Sequence, residues 1–204
     1  MRAFVIAMDC EAEAVRPWLK PGDRLYVCGI GKVNAAAATM KAICEGADEV
    51  WNAGLCGGFG DDIEVGDVFA VESAVEYDFD LAKLNGTRVG QLNEYDTPYL
   101  PLGKVSDLKS RKSGTGLASR VLATGDHFND SETDYALITK ELGASLRDME
   151  GAAIAHVCKR EGVRCHAVKC VTNVAGKGSM LGQYEENARR CLERLSTVMK
   201  GLLG

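Results

Sequence analysis

The sequence has few of the features that mark the commonest binding sites. None of its eight cysteines belongs to a C-x-x-C pair, which argues against a structural zinc site and a thioredoxin-like motif. No apolar run approaches the length of a membrane span. An excess of basic charge is also missing, since 24 Lys and Arg stand against 29 Asp and Glu and give a formal net charge of −5. We therefore expect no metal or other cofactor, no membrane association and no nucleic-acid partner.

The cysteines favour a reducing compartment. Most lie in apolar runs, such as L-Y-V-C at 25–28 and V-K-C-V at 168–171, where a reduced cysteine serves as a small core residue. The first residues, M-R-A-F-V-I-A-M, are too short an apolar stretch for a signal peptide, and no cleavage site follows them. A cytoplasmic location is therefore expected.

Segments that predict strands alternate along the chain with segments that predict helices. Strands are expected at 3–8, 24–28, 49–55, 66–77, 120–125 and 164–172. Helices are expected at 11–19, 35–44, 131–143, after Glu150 to about 161, and at 183–203. The polar segment 81–118 is expected to be loop. The alternation predicts one α/β domain over residues 1–204, with three layers in which helices flank a central mixed, mostly parallel sheet.

Unusual residues follow several of these strands, and ligands bind at the strand ends of such sheets. The strand-end segments are A-M-D-C-E (7–11), G-I-G-K-V-N (29–34), N-A-G-L-C-G-G (52–58) and V-T-N-V-A-G (171–176), and two further segments stand out, T-G-D-H-F-N (124–129) and R-D-M-E-G-A-A (147–153). The G-I-G-K turn is compatible with a phosphate cradle at a helix N-terminus and equally with tight strand-to-helix packing. It matches neither a Walker A loop nor G-x-G-x-x-G.

The order and spacing of these segments resemble the purine nucleoside phosphorylase and nucleosidase superfamily. The likeness is greatest to the 5′-methylthioadenosine/S-adenosylhomocysteine nucleosidases, and M-E-G-A-A-I-A-H-V-C at 149–158 is its most specific part. It is lost over 81–118. The resemblance implies a nucleoside phosphorylase-like fold, a purine nucleoside substrate and a homodimer or larger homo-oligomer.

The resemblance also implies roles for two carboxylates. Glu150, with Met149, corresponds to the Met–Glu pair that holds the ribose, where a carboxylate accepts hydrogen bonds from both sugar hydroxyls and favours positive charge on the ring. Glu11 corresponds to the residue that activates water. The alternatives are a first-turn glutamate favoured by the helix dipole at Glu150 and a solvated helix carboxylate at Glu11, with Glu13 as the rival base.

Further substrate contacts are expected from Met8, Gly54, Leu55, Phe128 and Thr172. Phe128 matches the aromatic residue that packs near the purine, although a plain core aromatic is the alternative. Leu55 stands where the family often has a small hydroxyl residue, so the pocket is expected to be more apolar there and less suited to phosphate.

Asn173 departs from the adenine-specific nucleosidases, which have an aspartic acid that protonates N7 of the base. An amide cannot supply that proton, but it can accept from a protonated N7 or donate to an oxygen at C6. This favours a 6-oxopurine such as hypoxanthine or guanine. The alternatives are an inactive descendant and an amide that only holds its loop.

Three functions remain open from the sequence. The first is hydrolysis of a purine nucleoside such as methylthioadenosine, inosine or futalosine. The second is a phosphorylase, which is disfavoured because Asn52 stands where phosphorylases often carry an arginine and only Lys32 offers a nearby cation, whereas phosphate needs several charged donors. The third is a nucleoside-binding protein with little or no catalysis.

Overall fold

The structure, a computed structural model, describes residues 1–103, 105 and 117–204. Its strands are β1 (Arg2–Ile6), β2 (Arg24–Val27), β3 (Glu49–Gly58), β4 (Val68–Glu76), β5 (Leu100–Pro101), β6 (Ser119–Thr124), β7 (Leu146–Asp148) and β8 (Arg164–Val174). Its α-helices are α1 (Asp9–Val15), α2 (Lys32–Cys44), α3 (Ala82–Asn85), α4 (Glu132–Ala136), α5 (Gly151–Glu161) and α6 (Met180–Leu203). A 3-10 turn (Arg16–Trp18) follows α1, and a π-helical turn (Leu137–Glu141) follows α4.

Five strands of the mixed sheet close into a ring. The pairings run from β3 to β7, β6, β4 and β8, and β8 pairs again with β3. Strands β1 and β2 extend the sheet outward from β3 as parallel neighbours, and β5 pairs with β4. The ring closes because β8 pairs with two strands, lying parallel to β3 and antiparallel to β4.

One edge of β3 is divided between two partners. Its first residues pair with β1 as far as Trp51, and its last two, Gly57 and Gly58, pair with β7. The opposite edge pairs with β8 over the whole strand. Residues 52–56 therefore face a gap between β1 and β7 on one side, which is the kind of position where open α/β sheets bind ligands.

Helices cover the sheet from two sides. Helices α2 and α5 pack together through small residues, among them Ala35, Ala42 and Ala152. Helix α6 packs against β8 and α1 through a stripe of buried residues at four-residue spacing, namely Cys191, Leu195, Met199 and Leu203. Among the helices of the described residues, none combines the length and hydropathy that crossing a bilayer requires.

The structure confirms an α/β fold in which helices flank a mixed sheet. The prediction of three layers with a central sheet is confirmed only in part, because the sheet closes on itself. Strand β3 also continues beyond the predicted end at residue 55, through Gly58. A Cβ at Gly58 would lie 2.7 Å from Cγ2 of Ile63, so this glycine permits close packing within the strand.

The segment expected to be loop contains little regular structure where it is described. It includes the short helix α3 and the two-residue strand β5. The part of the expectation that concerns residues 104 and 106–116 lies outside the described residues. The helix expected at 131–143 begins as predicted, because the Ser131 hydroxyl accepts a hydrogen bond from the Asp134 amide, but its second half is a π-helical turn.

Candidate active site

A cavity of about 280 Å³ opens beside the gap in the β3 edge. Its walls come from the ends of β1, β3, β7 and β8 and from the start of α6. The structure gathers eight of the nine residues predicted for the site around this cavity: Met8, Glu11, Leu55, Phe128, Met149, Glu150, Thr172 and Asn173.

Glu11 is held by backbone amides at the gap. Its Oε1 accepts a hydrogen bond from Leu55 N at 2.7 Å, and its Oε2 accepts one from Met8 N at 3.2 Å. The Leu55 amide points into the gap between β1 and β7, and neither of these strands pairs with Leu55. The carboxylate therefore satisfies a backbone donor that the sheet leaves open. Burial raises the pKa of Glu11, and the charge of Lys169 and the two amide bonds oppose that rise.

Gly54 makes room for this carboxylate. A Cβ at Gly54 would lie 2.5 Å from Oε1 of Glu11, which is closer than real Cβ contacts allow. The residue does not line the cavity, so the structure does not place it as the direct substrate contact that the sequence predicted. Its contribution is the space in which Glu11 approaches β3.

Glu150 occupies the N-cap position of α5 without a capping hydrogen bond from its side chain, which reaches across to the G-I-G-K turn. Its Oε1 accepts a hydrogen bond from Gly31 N at 2.9 Å, and only 7% of the residue is exposed. Burial, followed by the negative charge of Asp148, raises the pKa of Glu150 to about 7. Lys169 and the Gly31 amide oppose this rise but do not cancel it.

A buried ion pair lies beneath the two glutamates. Lys169 Nζ is 2.7 Å from Asp148 Oδ2, and both side chains are 2% exposed. Asp148 also accepts hydrogen bonds from the Thr124 hydroxyl and the Gly151 amide. Burial by itself would lower the pKa of Lys169, but the carboxylates of Asp148, Glu150 and Glu11 outweigh it and raise the pKa. Lys169 therefore remains charged and partly neutralises the three carboxylates.

The raised pKa of Glu150 predicts a pH-dependent stability. Because the pKa rises from 4.5 to about 7 on folding, the folded state favours the protonated acid, and this stabilisation is complete below pH 4.5 and lost as pH rises through about 7. Between pH 5 and pH 8 the wild type is expected to lose roughly 2–3 kcal/mol more unfolding free energy than Glu150→Gln. Urea titrations at both pH values measure this difference. The exposed Glu161→Gln is the control and should behave as wild type; equal slopes for wild type and Glu150→Gln would contradict the prediction.

Asn173 and Thr172 lie at the far end of the cavity. The Thr172 hydroxyl is 2.7 Å from Oδ1 of Asn173 and 3.2 Å from the Cys56 carbonyl. Asn173 is 1% exposed, and its Nδ2 has no hydrogen-bond partner among the described residues. The amide therefore has an unused donor beside the cavity, and such a buried donor is costly to leave unpaired.

Phe128 and Tyr184 form an aromatic wall of the same cavity. The rings meet edge to face with centroids 6.1 Å apart, and half of Phe128 is exposed. Phe128 is therefore not a core aromatic, and a flat ring can pack against it. Leu55 adds apolar surface opposite, as expected.

The G-I-G-K turn does not offer a vacant anion cradle. Gly31 N donates to Glu150, and Lys32 N donates to Asp126 Oδ1 at 2.9 Å. The Lys32 ammonium is bound by Asp78 at 2.6 Å and by Glu76 at 3.3 Å. Lys32 does not line the cavity, so carboxylates of the protein occupy the donors that a phosphate would use.

Three buried charged residues of the site were missed from the sequence, namely Arg147, Asp148 and Lys169. Lys169 carried a usable signal, because a lysine within the apolar run A-V-K-C-V of a central strand needs a buried partner. Its partner could not be chosen from the sequence, since the ion pair depends on how β7 and β8 lie around β3.

The fold and the site together define a class of protein. The phosphorylase superfamily model matches residues 24–204, and the chain belongs to this superfamily. Within it, the chain is 32% identical over 200 residues to the 5′-methylthioadenosine/S-adenosylhomocysteine nucleosidase of Treponema pallidum (strain Nichols), covering 83% of this chain and 74% of the relative. It is also 32% identical to the enzyme of that name from Bacillus pumilus (strain SAFR-032), covering 80% of this chain and 74% of the relative.

Solved structures share the fold at lower identity. A Helicobacter pylori 5′-methylthioadenosine/S-adenosylhomocysteine nucleosidase in complex with a pyrrolidinol ligand superimposes with a TM-score of 0.87 at 20% identity, covering 98% of this chain and 96% of the other. The futalosine hydrolase of Helicobacter pylori gives a TM-score of 0.87 at 19% identity with the same coverage. These likenesses support the fold of the chain.

Proposed function

We propose that the protein hydrolyses the N-glycosidic bond of a purine nucleoside. Glu11 activates the water, Glu150 with Met149 holds the ribose, and Asn173 binds the base, with Met8, Leu55, Phe128 and Thr172 as further contacts. The observation that carries the proposal is that two buried glutamates with raised pKa values share one cavity with an aromatic wall. Similarity to named nucleosidases supports the same reaction.

The proposed step balances with water alone. Glu11 takes a proton from water as the oxygen bonds to the anomeric carbon of ribose, and the bond to N9 of the purine breaks. The electron pair of that bond leaves with the base, which takes up a proton from solvent, and Glu11 returns the proton of the attacking water to solvent. The raised pKa of Glu11 brings the group nearer to the pH at which a base works best, and Glu150 stabilises positive charge on the sugar ring.

The charges around the cavity favour water over phosphate as the nucleophile. Asn52, at the position where phosphorylases often carry an arginine, is buried and donates to the Val5 carbonyl at 2.9 Å. Lys32 is bound to two acidic side chains. Lys169, which is buried beneath the site, is already paired with Asp148. Among the described residues, Arg147 is the one lysine or arginine that lines the cavity, so a phosphate would meet three carboxylates without the several cationic donors it needs.

The unused donor on Asn173 favours a base with an acceptor near N7 or C6. Its Oδ1 lies against the Thr172 hydroxyl, whereas Nδ2 is unpaired among the described residues. A 6-oxopurine such as hypoxanthine or guanine offers both N7 and O6 as acceptors. Adenine offers N7 but places an amino group at C6, which leaves a second donor unpaired and costs roughly 1–3 kcal/mol.

Base release from a substrate panel tests the proposed reaction. Inosine, guanosine, adenosine, methylthioadenosine and futalosine are incubated with the enzyme, each with and without phosphate. We expect base release in the absence of phosphate, free ribose or its 5′-substituted form as the other product, and faster release from the 6-oxopurine nucleosides. A strict phosphate requirement with ribose 1-phosphate as product would instead identify a phosphorylase.

Lys32→Met is the matched control for phosphate dependence. The side chain lies outside the cavity, so the variant should retain phosphate-independent release. Tight binding of a nucleoside without any release would contradict hydrolysis and favour a binding protein.

We take residues 1–204 as one domain in a reducing cytoplasm, which the eight free cysteines support. A homodimer or larger homo-oligomer is supported by exposed apolar residues in and before α2, namely Ile30, Val33 and Met40.

A further inference from the structure

Arg147 is a buried cation at the far end of the cavity. It is 5% exposed, and it lines both this cavity and a second, more polar one of about 900 Å³. Its Nη2 donates to the Asn129 carbonyl at 2.6 Å and lies 3.5 Å from Met180 Sδ, and its Nη1 donates to Asn129 Oδ1 at 3.2 Å. The guanidinium also lies over the Phe59 ring, 5.6 Å from its centroid.

The guanidinium has no acidic partner in the part of the chain that the structure describes. No carboxylate there lies within 4.0 Å of it, whereas Asp148, its neighbour in sequence, is paired with Lys169. Asp134 is engaged by Nδ2 of Asn129 at 3.1 Å. With five N–H donors and only neutral acceptors, Arg147 is a buried charge that its surroundings do not neutralise. Such a group is costly, and an oxygen of a ligand can offset the cost.

The strand register places Arg147 and Asn173 on either side of one glycine. Gly57 of β3 is opposite Arg147 of β7 and opposite Asn173 of β8, so the two side chains leave the sheet on the same face. Met180 bridges the space between them: its Sδ contacts Arg147, and its Cε lies 3.1 Å from the position of a Cβ on Gly57. That same position is 3.2 Å from Asn173 Nδ2. The floor of the cavity thus carries two hydrogen-bond donors, Arg147 and Asn173, on either side of the Met180 thioether.

From this arrangement we infer that Arg147 determines base specificity by donating a hydrogen bond to an oxygen on the six-membered ring of the purine. The inference rests on the proposed function, because it assumes that the base occupies this end of the cavity. Asn173 then donates to N7 and the oxygen at C6, and Arg147 is a second donor to that oxygen. An exocyclic oxygen satisfies the buried cation, whereas the amino group of adenine presents another donor to it.

Binding of the free bases tests the inference without requiring turnover. The dissociation constants of hypoxanthine and adenine are measured by calorimetry for wild type, Arg147→Met and Arg147→Lys. We expect wild type to prefer hypoxanthine, Arg147→Met to weaken hypoxanthine binding by on the order of 10- to 100-fold, and adenine binding to change by less than about threefold. Arg147→Lys, which keeps a charged donor, is expected to restore part of the preference. Arg189→Met, the same substitution at an exposed position, is the control.

The melting temperature separates recognition of the base from a structural role. If Arg147 only held the Asn129 loop, Arg147→Met would lower the melting temperature and weaken both bases equally, and that outcome would overturn the inference. A wild-type preference for adenine, or no binding of either base, would overturn it as well. Failure of the proposed reaction is distinct: bases would still bind with the expected discrimination while no nucleoside is cleaved.

Discussion

Glu11→Gln is expected to lower kcat by about 10²- to 10⁴-fold, the usual contribution of a general base. Glutamine has nearly the same shape and can still accept one of the two amide hydrogen bonds, from Leu55 or Met8. It cannot take a proton from water at neutral pH. The loss should therefore fall on kcat more than on KM, because the side chain acts on water and not on the bound nucleoside. Steady-state kinetics of base release measure both constants.

The neighbouring Glu13 provides the matched control. It is exposed on another face of the same helix and does not line the cavity, so Glu13→Gln removes an equal charge outside the site and should leave kcat within about twofold. If Glu13→Gln were the damaging variant, the base would be assigned to the wrong residue. A wild-type kcat in Glu11→Gln would contradict general-base catalysis by this carboxylate.

Lys169→Met is expected to reduce the unfolding free energy by about 3–5 kcal/mol, the usual cost of removing one partner of a buried ion pair. The substitution leaves Asp148, Glu150 and Glu11 buried together. The cation that stabilises their charged forms in the folded protein is then missing. The pKa of each glutamate should rise further, so the loss should be larger at pH 8 than at pH 5. Urea unfolding at the two pH values measures both effects.

The double variant Lys169→Met/Asp148→Asn separates lost charge from lost packing. Neutralising Asp148 removes the acid that Lys169 contacts at 2.7 Å, while asparagine can still accept from Thr124 and Gly151. The double variant should recover at least half of the stability lost in the single one. No recovery would mean that Lys169 stabilises the fold chiefly through its packing.

The site could be predicted from the sequence to the extent that it depends on strand ends. Glu11, Leu55 and Asn173 each follow or end a predicted strand, and parallel strands bring such ends together, whereas Glu150 is predicted only from the resemblance of its segment M-E-G-A-A-I-A-H-V-C. The structure places all four at one cavity. Their chemical roles remain predictions, because proximity does not measure catalysis.

The missed features depend on contacts that are distant in the sequence. The three-residue strand β7 is too short to give a periodic pattern, yet it positions both Arg147 and Asp148. Closure of the ring depends on β8 pairing with two strands at once, and no local pattern encodes that choice. Similarly, G-I-G-K has the appearance of an anion cradle, but its donors bind Glu150 and Asp126, which lie more than 90 residues further along the chain.

Closure of the sheet also affects how the molecule opens. Strand β3 pairs with β8 over its whole length and with β1 or β7 at its two ends, so separating it from β8 also opens the closed ring. Its amide hydrogens should exchange with solvent only through global unfolding, whereas those of the outer strands β2 and β5 exchange through local fraying. The strand that carries Gly54, Leu55 and Gly57 thus belongs to the slowest-opening unit of the fold, and the position of Glu11 depends on the same cooperative unit.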